Sequence, residues 1–223
     1  MSELHGVIFD VDGTLVDSNE AHVQAWLSAM REQGYEVPYE RVRRLIGMGA
    51  DNLLPNALGI SKDDPPGAEI NRRQAEIFKQ DYMSSIKAFP KALELVSRIR
   101  EEGLKRVVAT SARPEELKAM MQVAGITDLI EDSTSSDDAP STKPDPGIVA
   151  AALGQSGLAP HEAIMLGDTP YDVQAAGQAG VRVIAVRSGG FSDRDLAGAL
   201  AIYDDLADLL AHFAESPLGT ARG

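Results

Sequence analysis

The sequence of 223 residues contains 34 acidic and 21 basic side chains, which gives a formal net charge of −13 at pH 7. Because this charge repels phosphate backbones and anionic lipids at long range, we expect neither nucleic acid nor a membrane as a partner. The sequence contains no cysteine, which excludes disulfides and thiolate metal sites. It carries neither a basic leader before the first apolar run nor an apolar stretch of about 18 residues, so we expect a cytoplasmic protein.

The first predicted element is a short buried strand at residues 6–9 that ends in two carboxylates. This Gly-Val-Ile-Phe run is apolar and partly β-branched, and it is too short for a helix. Asp10 and Asp12 follow it with one residue between them, and Gly13 and Thr14 allow the backbone to turn. Such residues can be mere turn formers, so the pair gains a chemical meaning only together with the motifs that follow.

A run of helical patterns without a convincing strand occupies residues 17–86. Apolar residues recur at helical spacing after Ser18, which suits the N-cap position, and Gly34 ends the segment. Further helices, separated by glycine and proline, are predicted at 39–46, 51–58 and 67–83. We interpret this region as a small helical module.

The remainder of the chain alternates between strands and helices. Strands are predicted at 106–109, 163–166 and 181–186, and helices at 90–103, 114–124, 147–153, 171–179 and 204–213, with fraying after Ser216. Such alternation implies right-handed crossovers and a parallel sheet covered by helices on both faces. The predicted fold class is α/β: a Rossmann-like core of residues 1–16 and 87–223, with an all-α cap of residues 17–86 inserted into it.

Polar side chains gather at the carboxyl ends of the predicted strands, where open parallel sheets bind ligands. They are Asp10 and Asp12, Thr110 and Ser111, and Asp168 with Asp172, while Lys143 lies in a loop that could join them. Converging carboxylates repel one another unless one is protonated or a cation lies among them. With no cysteine and no histidine next to these carboxylates in the sequence, the expected cation is a hard one that prefers oxygen ligands, Mg²⁺. Lysine, threonine and backbone N–H groups bind phosphoryl oxygens, so the set predicts phosphoryl transfer.

Four segments resemble, in order and spacing, the four motifs of the haloacid dehalogenase-like hydrolase superfamily. They are residues 9–18 (FDVDGTLVDS), Thr110, residues 143–146 (KPDP) and residues 167–172 (GDTPYD). The helical insertion after the first strand is similar to that superfamily's α-helical cap of the first type. The resemblance covers nearly the whole chain, and the four motifs together are specific, whereas the first motif alone is less so.

The resemblance implies a role for each motif residue. Asp10 would be the nucleophile that forms an aspartyl-phosphate, and Asp12 would be the general acid and then the general base. Thr110 would hydrogen-bond a phosphoryl oxygen, and Lys143 would neutralise the charge of Asp10 and the phosphoryl group. The implied Mg²⁺ ligands are the Asp10 carboxylate, the Asp12 main-chain carbonyl and Asp168, with Asp172 supporting directly or through water.

Branches of the superfamily differ at residues that this sequence has or lacks. Dehalogenases lack the second aspartate, so Asp12 argues against that branch. Phosphonoacetaldehyde hydrolases use a cap lysine, and no lysine occurs in residues 1–61. A β-phosphoglucomutase-like enzyme is the closest competitor, but such mutases carry a lysine and an arginine around the cap glycine, where Ile46 and Ala50 flank Gly47 here. A phosphoglycolate-phosphatase-like enzyme acting on a small phosphorylated metabolite is therefore the predicted function.

We expect the cap to select the substrate because it closes over the site and excludes water. The cap candidates are His22, Arg43, Arg44, Gly47, Met48, Gly49 and Asn52. Arg43 and Arg44 are adjacent on a predicted helix, so at most one of them faces the cleft. The core candidates for phosphate or substrate binding are Gly13, Thr14, Ser111 and Arg113.

Plainer interpretations remain open for several of these residues. Ser111 could cap the helix that begins near residue 114, and Asp168 and Asp172 could be first-turn acids that complement a helix dipole. His22 could simply be packed in the cap. A non-catalytic protein on the same fold is the alternative from another functional class, and the sequence leaves monomer or dimer open.

Overall fold

The structure is a computed structural model that describes residues 4–219. Its main sheet is built outward from the first strand. The strands are β1 (Gly6–Phe9), β2 (Val16–Asp17), β3 (Lys87–Ala88), β4 (Lys105–Ala109), β5 (Asp132–Thr134), β6 (Ala163–Gly167), β7 (Arg182–Val186) and β8 (Ala201–Tyr203). Six of them form one parallel sheet in the order β5-β4-β1-β6-β7-β8. The predicted parallel sheet is therefore confirmed.

The helices that connect these strands begin and end close to the predicted positions. They are α1 (Asn19–Glu32), α2 (Tyr39–Leu45), α3 (Ala50–Leu58), α4 (Pro65–Ile77), α5 (Ala92–Glu101), α6 (Pro114–Ala124), α7 (Gly147–Ser156), α8 (Pro170–Gln178) and α9 (Leu206–Ala211). Proline opens α4, α6 and α8, where its missing N–H costs no intrahelical bond.

Helices cover both faces of the sheet, because successive side chains of β1 point to opposite faces and are apolar on each. Val7 and Phe9 point into the larger apolar cluster, which includes residues of α5 and α9. Ile8 points the other way, into a second cluster with residues of α7 and α8. All four residues of β1 are buried, so the strand carries its carboxyl end to a fixed point in the middle of the sheet.

The order of the strands reverses beside β1, and this places the site. The chain passes from β1 to β4 and β5 on one side and then crosses back to β6 on the other. A crevice opens outside the carboxyl ends of the strands where the order reverses. The segments that follow β1, β4 and β6 therefore meet in one place.

A two-stranded ribbon joins the entry and exit of the helical region. Val16 and Asp17 of β2 pair antiparallel with Ala88 and Lys87 of β3. Helices α1 to α4 lie between these strands in sequence, and α1 packs against α4. The helix predicted at 67–83 is not uniform, since the α-helix ends at Ile77 and a π-helical turn, Phe78–Tyr82, continues it.

The sequence patterns missed two edge strands and misjudged the tail. β5 lies in a polar stretch, and β8 has no apolar alternation long enough to stand out, because edge strands are short and partly exposed. Fraying after Ser216 is wrong for the described part of the tail, where Leu218 is 2% exposed. Residues 220–223 lie outside the described residues.

None of the helices within residues 4–219 combines the length and the apolar character that crossing a bilayer needs.

Leu166→Ala tests whether the β1–β6 pair is the rigid centre of the fold. Leu166 is 0% exposed and pairs with Phe9. We expect the substitution to lower the free energy of unfolding by about 2–5 kcal/mol, because it leaves a cavity in the core. Urea denaturation measures the change. Leu200→Ala, at a leucine that is 50% exposed, is the matched control and should change it by less than about 0.5 kcal/mol.

Candidate active site

Asp10 lies at the floor of the crevice, directly after β1. Its side chain is 1% exposed, and its backbone N–H donates to the carbonyl of Leu166 at 2.9 Å. The ammonium group of Lys143 donates to Asp10 Oδ1 at 2.5 Å. Asp10 Oδ2 is buried and has no protein partner. One carboxylate oxygen is thus held by a cation while the other is available to a ligand.

Lys143 is shared between two carboxylates. Its Nζ also donates to Asp172 Oδ1 at 2.8 Å, and its side chain is 1% exposed. The other Asp172 oxygen accepts from the backbone N–H of Thr169 at 2.9 Å and from its hydroxyl at 2.6 Å, which completes a capping box at the start of α8. Asp172 is therefore both a helix-capping residue and a partner of Lys143.

Asp168 is held by two donors from the segment after β1. Thr14 Oγ1 donates to Asp168 Oδ1 at 2.9 Å, and Asn19 Nδ2 donates to Oδ2 at 3.0 Å. Gly13 has a φ of +76°, and a Cβ there would collide with the Asp168 carboxylate and with Asn19. Gly13 and Thr14, both predicted to bind phosphate, thus lie against Asp168. Asn19 was missed because only tertiary proximity connects it to Asp168.

Asp10, Asp168 and Asp172 form a group of buried carboxylates. Each offers an oxygen within 4.8 Å of the others. Burial raises the pKa of Asp168 to about 7, with Asp172 adding to the effect, and Thr14 and Asn19 only partly oppose it. Burial also raises the pKa of Asp10, and Asp172 and Asp168 add to this against the opposing effect of Lys143.

The charge of this carboxylate group suits a hard divalent cation. Burial disfavours the ammonium form of Lys143, but Asp10 and Asp172 outweigh burial and raise its pKa. One cation therefore faces three carboxylates, and at least one of them is protonated or a second cation is needed. Three carboxylate oxygens are the ligands that Mg²⁺ prefers, so the residues present fit that ion.

Asp12 is paired with His22 from the first helix. Asp12 Oδ1 lies 3.0 Å from His22 Nε2 and accepts from Ser18 Oγ at 2.6 Å. Burial acts to raise the pKa of Asp12, but His22 and Ser18 outweigh it and lower the pKa. Burial acts to lower the pKa of His22, and Asp12 outweighs it and raises the pKa. Ser18 occupies the predicted N-cap position of α1, but its side chain binds Asp12 and makes no cap bond to the helix.

The imidazole of His22 is fixed from two sides. It stacks on Phe78 with ring centroids 4.1 Å apart, and Gln74 Nε2 lies 3.4 Å from its Nδ1. Phe78 is the first residue of the π-helical turn after α4, a kind of irregularity that is common at functional sites. His22 is therefore both packed and directed at Asp12. Gln74 was not among the predicted residues because it is distant in sequence.

Thr110 and Ser111 follow β4 on the opposite wall. Thr110 is 1% exposed, and its hydroxyl accepts from the backbone N–H of Ala112 at 3.1 Å. Ser111 Oγ is buried and has no protein partner. No side-chain cap bond is made at the start of α6, so Ser111 does not act as a helix cap.

A cavity of about 200 Å³ lies between these residues and the helical region. Its floor includes Asp10, Asp12, Thr110, Ser111 and Lys143, and its roof includes His22, Trp26, Gly47, Met48, Asn71 and Gln74. Because pockets for drug-sized ligands are about 300–1,000 Å³, a cavity of this size suits a small metabolite.

Several predicted cap residues connect the two sides of the cavity instead of facing into it. Asn52 Nδ2 donates to the carbonyl of Thr142 at 3.1 Å and to Asp145 Oδ2 at 3.2 Å. Arg43 donates to the carbonyl of Gly189, and the carbonyl of Arg44 accepts from Tyr171. Sequence reasoning missed Asp51, which accepts from the backbone N–H of Thr142 at 3.0 Å.

Gly47 and Arg113 also lie where the two sides meet. Gly47 has a φ of +102°, and a Cβ there would come within 2.8 Å of Thr169. Arg113 Nη2 donates to the carbonyl and the Oδ1 of Asn71 at 2.7 and 2.8 Å. The helical region thus contacts the core at several points around the cavity.

Comparison with known proteins agrees with this geometry. A sequence model of the family described as haloacid dehalogenase-like hydrolase matches residues 7–186. A phosphoglycolate phosphatase from Rhodospirillum rubrum is 33% identical over 91% of this chain and 88% of its own length. A hydrolase from Pseudomonas syringae superposes with a TM-score of 0.88 at 30% identity, covering 95% of this chain and 98% of that one.

A putative β-phosphoglucomutase from Bacteroides vulgatus is also similar, with a TM-score of 0.86 at 25% identity over 98% of this chain and 90% of that one. The predicted α/β fold and the predicted enzyme class, a phosphoric monoester hydrolase, are confirmed by these relatives. The chain belongs to the haloacid dehalogenase-like hydrolase family.

Proposed function

We propose that this protein is a Mg²⁺-dependent phosphatase that hydrolyses a small phosphorylated metabolite through a phosphorylated form of Asp10. The observation that carries the proposal is the Asp10 carboxylate itself. It is buried at the floor of a cavity, one of its oxygens is held by Lys143, and the other has no protein partner. A nucleophile needs this combination of fixed position and available lone pair.

In the first step, the Asp10 carboxylate attacks phosphorus. A bond forms between a carboxylate oxygen and phosphorus while the bond from phosphorus to the ester oxygen breaks. The leaving oxygen takes from Asp12 the proton that Asp12 shares with His22, so that an alcohol departs. Lys143 lowers the repulsion between the two anions because its ammonium group lies 2.5 Å from Asp10.

In the second step, Asp12 takes a proton from a water molecule, whose oxygen forms a bond to the phosphorus of phosphorylated Asp10. The bond between phosphorus and the carboxylate breaks, inorganic phosphate leaves, and Asp10 is regenerated. The same residue acts first as acid and then as base, and His22, which lowers the pKa of Asp12, favours its ionised form. With Nε2 at 3.0 Å from Asp12, the imidazole shares a proton with the carboxylate and keeps it in position.

Mg²⁺ would be held by the side chains of Asp10, Asp168 and Asp172 and by the main-chain carbonyl of Asp12. When bound, the ion supplies positive charge that stabilises the transferring phosphoryl group. Thr14 and Asn19 orient Asp168 through hydrogen bonds to its two oxygens, as residues behind a metal ligand commonly do.

Thr110 and Ser111 would bind the oxygens of the phosphoryl group. Thr110 is fixed at the end of β4 by the bond between its hydroxyl and the N–H of Ala112. The hydroxyl of Ser111 is buried with no protein partner, which favours a hydrogen bond to a ligand in the cavity.

The helical region of residues 17–86 would act as a cap on the core of residues 1–16 and 87–223. The β2–β3 ribbon is the covalent junction between the two, and polar contacts such as that of Asn52 with Thr142 hold them closed. His22, Gly47 and Met48 then face the substrate from the cap. A cytoplasmic location stays a prediction from the sequence.

A β-phosphoglucomutase-like activity is the second candidate, because one similar structure carries that name. The residues around Gly47 favour the phosphatase. The side chains of Ile46 and Ala50 are apolar, so neither supplies a positive charge for a second phosphate. The reaction product separates the two: a phosphatase yields inorganic phosphate, whereas a mutase yields an isomer and needs a bisphosphorylated sugar to prime it.

Asp10→Asn tests the nucleophile. We expect phosphate release from p-nitrophenyl phosphate in the presence of Mg²⁺ to fall by at least about 10³-fold, because a carboxamide does not form the phosphorylated intermediate. A colorimetric assay of nitrophenol measures the rate. Asp63→Asn, at an exposed aspartate, is the control and should leave the rate unchanged. Activity that survives in Asp10→Asn contradicts the assignment, and no activity in the unaltered protein favours the non-catalytic alternative.

The pH dependence of Mg²⁺ binding tests the metal site. With a pKa of about 7, Asp168 is protonated below that pH and ionised above it. Because Mg²⁺ binds the ionised form, we expect the dissociation constant, measured by calorimetry, to be at least about tenfold higher at pH 6 than at pH 8. Asp63→Asn should behave like the unaltered protein, and Asp168→Asn should bind Mg²⁺ weakly at both pH values. Equal affinity at both pH values in the unaltered protein argues against this site.

The same pKa shift has a consequence for the metal-free protein. The Asp168 carboxyl titrates near pH 3.8 when unfolded and near pH 7 when folded, so the folded state holds the proton longer. Stability contributed by this group is present below about pH 3.8 and is lost as the pH rises to about 7. Thermal unfolding with and without Mg²⁺ should therefore show a larger stabilisation by the ion at pH 8 than at pH 6.

A further inference from the structure

Buried side-chain atoms without a hydrogen-bond partner are concentrated at the cavity. Within residues 4–219, such atoms are Asp10 Oδ2, Asn19 Oδ1, Ser111 Oγ and Glu116 Oε1. An unpaired buried polar atom is costly, so its partner is expected to come from a ligand or from water. Asp10, Ser111 and Glu116 all line the cavity, and Asn19 is bonded to Asp168.

The proposed phosphoryl transfer accounts for three of these residues but not for Glu116. Asp10 and Ser111 face the phosphoryl group, and Asn19 adjoins the metal ligand Asp168. Glu116 lies in the first turn of α6, across the cavity from the cap. It has no part in the transfer, yet its carboxyl group is directed into the same space.

The two basic residues that act on Glu116, Arg113 and His22, also contact other groups. Arg113 donates to Asn71 at 2.7 and 2.8 Å, and Lys79 pairs with Glu115 at 3.6 Å. His22 lies 3.0 Å from Asp12. The exposed Asp137, on the neighbouring loop, adds negative charge. Oε1 of Glu116 is thus left as an acceptor beside the acid–base pair.

The position of Glu116 beside His22 and Asp12 indicates which part of a substrate it would meet. Burial raises the pKa of Glu116, with Asp12 adding to this, while His22 and Arg113 oppose it. Asp12 must lie at the ester oxygen to protonate it, so a group near Asp12 and His22 contacts the leaving alcohol and not the phosphoryl oxygens. A carboxylate on that alcohol would face Glu116 with like charge, whereas a hydroxyl would donate to it.

We propose that Glu116 is a specificity-determining residue that accepts a hydrogen bond from a hydroxyl group of the leaving alcohol. The substrate class is then a hydroxylated alkyl or sugar phosphate, in preference to a short phosphorylated carboxylic acid. This inference rests on the proposed phosphatase function and adds to it. The preferred substrate would then differ from phosphoglycolate, which the name of the relative from Rhodospirillum rubrum gives for that protein.

The test compares three phosphate esters with Mg²⁺: glycerol 3-phosphate, 2-phosphoglycolate and p-nitrophenyl phosphate. We expect kcat/KM of the unaltered protein to be at least about tenfold higher for glycerol 3-phosphate than for 2-phosphoglycolate, because a site that hydrogen-bonds a hydroxyl rejects an analogue without it. Phosphate release is measured for each ester.

Variants at Glu116 separate recognition from a structural role. Glu116→Leu should lower kcat/KM for glycerol 3-phosphate by about 10- to 100-fold, as expected for a hydrogen bond to a charged group, and change that for p-nitrophenyl phosphate by less than about threefold. Glu116→Gln keeps an acceptor oxygen and should stay within about tenfold of the unaltered protein. Glu115→Gln, at the neighbouring exposed residue, is the control and should change none of the three values.

Two results overturn the assignment of Glu116 while leaving the phosphatase in place. One is a preference of the unaltered protein for 2-phosphoglycolate, and the other is an equal loss for all three esters in Glu116→Leu. The first result needs no variant, so the inference stays testable if Glu116→Leu does not fold. Absence of phosphate release from p-nitrophenyl phosphate by the unaltered protein would instead overturn the proposed function.

Discussion

The buried ammonium group of Lys143, shared between Asp10 and Asp172, is the interaction on which the site depends. It lies 2.5 Å from one carboxylate and 2.8 Å from the other, in surroundings from which water is almost fully excluded. Removing one partner from a buried ion pair leaves an uncompensated charge, which costs several kcal/mol. The three side chains therefore fix one another, and they tie together β1, the loop before α7 and the start of α8.

This ion pair leaves the site with an excess of negative charge. Asp168 joins Asp10 and Asp172 within 4.8 Å, and one lysine does not balance three carboxylates. Burial is the main cause of the raised pKa values of Asp10 and Asp168, and the neighbouring carboxylates add to it. A cation and a proton both reduce the repulsion among these carboxylates, so the proposed metal site and the proposed acid–base chemistry suit the same group of residues.

Asp12 differs from Asp10 in its electrostatic environment. Asp12 lies two residues beyond Asp10, yet its pKa is lowered, because His22 and Ser18 outweigh burial. Two neighbouring aspartates thus carry opposite pKa shifts because their surroundings differ. His22 comes from α1 and is held by Phe78 and Gln74, so the helical region supplies the histidine that contacts Asp12.

The sequence by itself determined the central strand and the parallel α/β architecture, because hydrophobic periodicity and turn residues are local properties of the chain. The spacing of the motifs is also local, and it determined the positions of the motif residues Asp10, Asp12, Thr110, Lys143 and Asp168. Only the tertiary structure placed Asn19 against Asp168 and Asn52 against Thr142, and only it left Oε1 of Glu116 without a protein partner in the cavity. These features depend on segments that are far apart in sequence and meet when the helical region closes over the sheet. The burial of a side chain, its pKa and its hydrogen bonds depend on which segments pack together, and the spacing of residues along the chain does not show this.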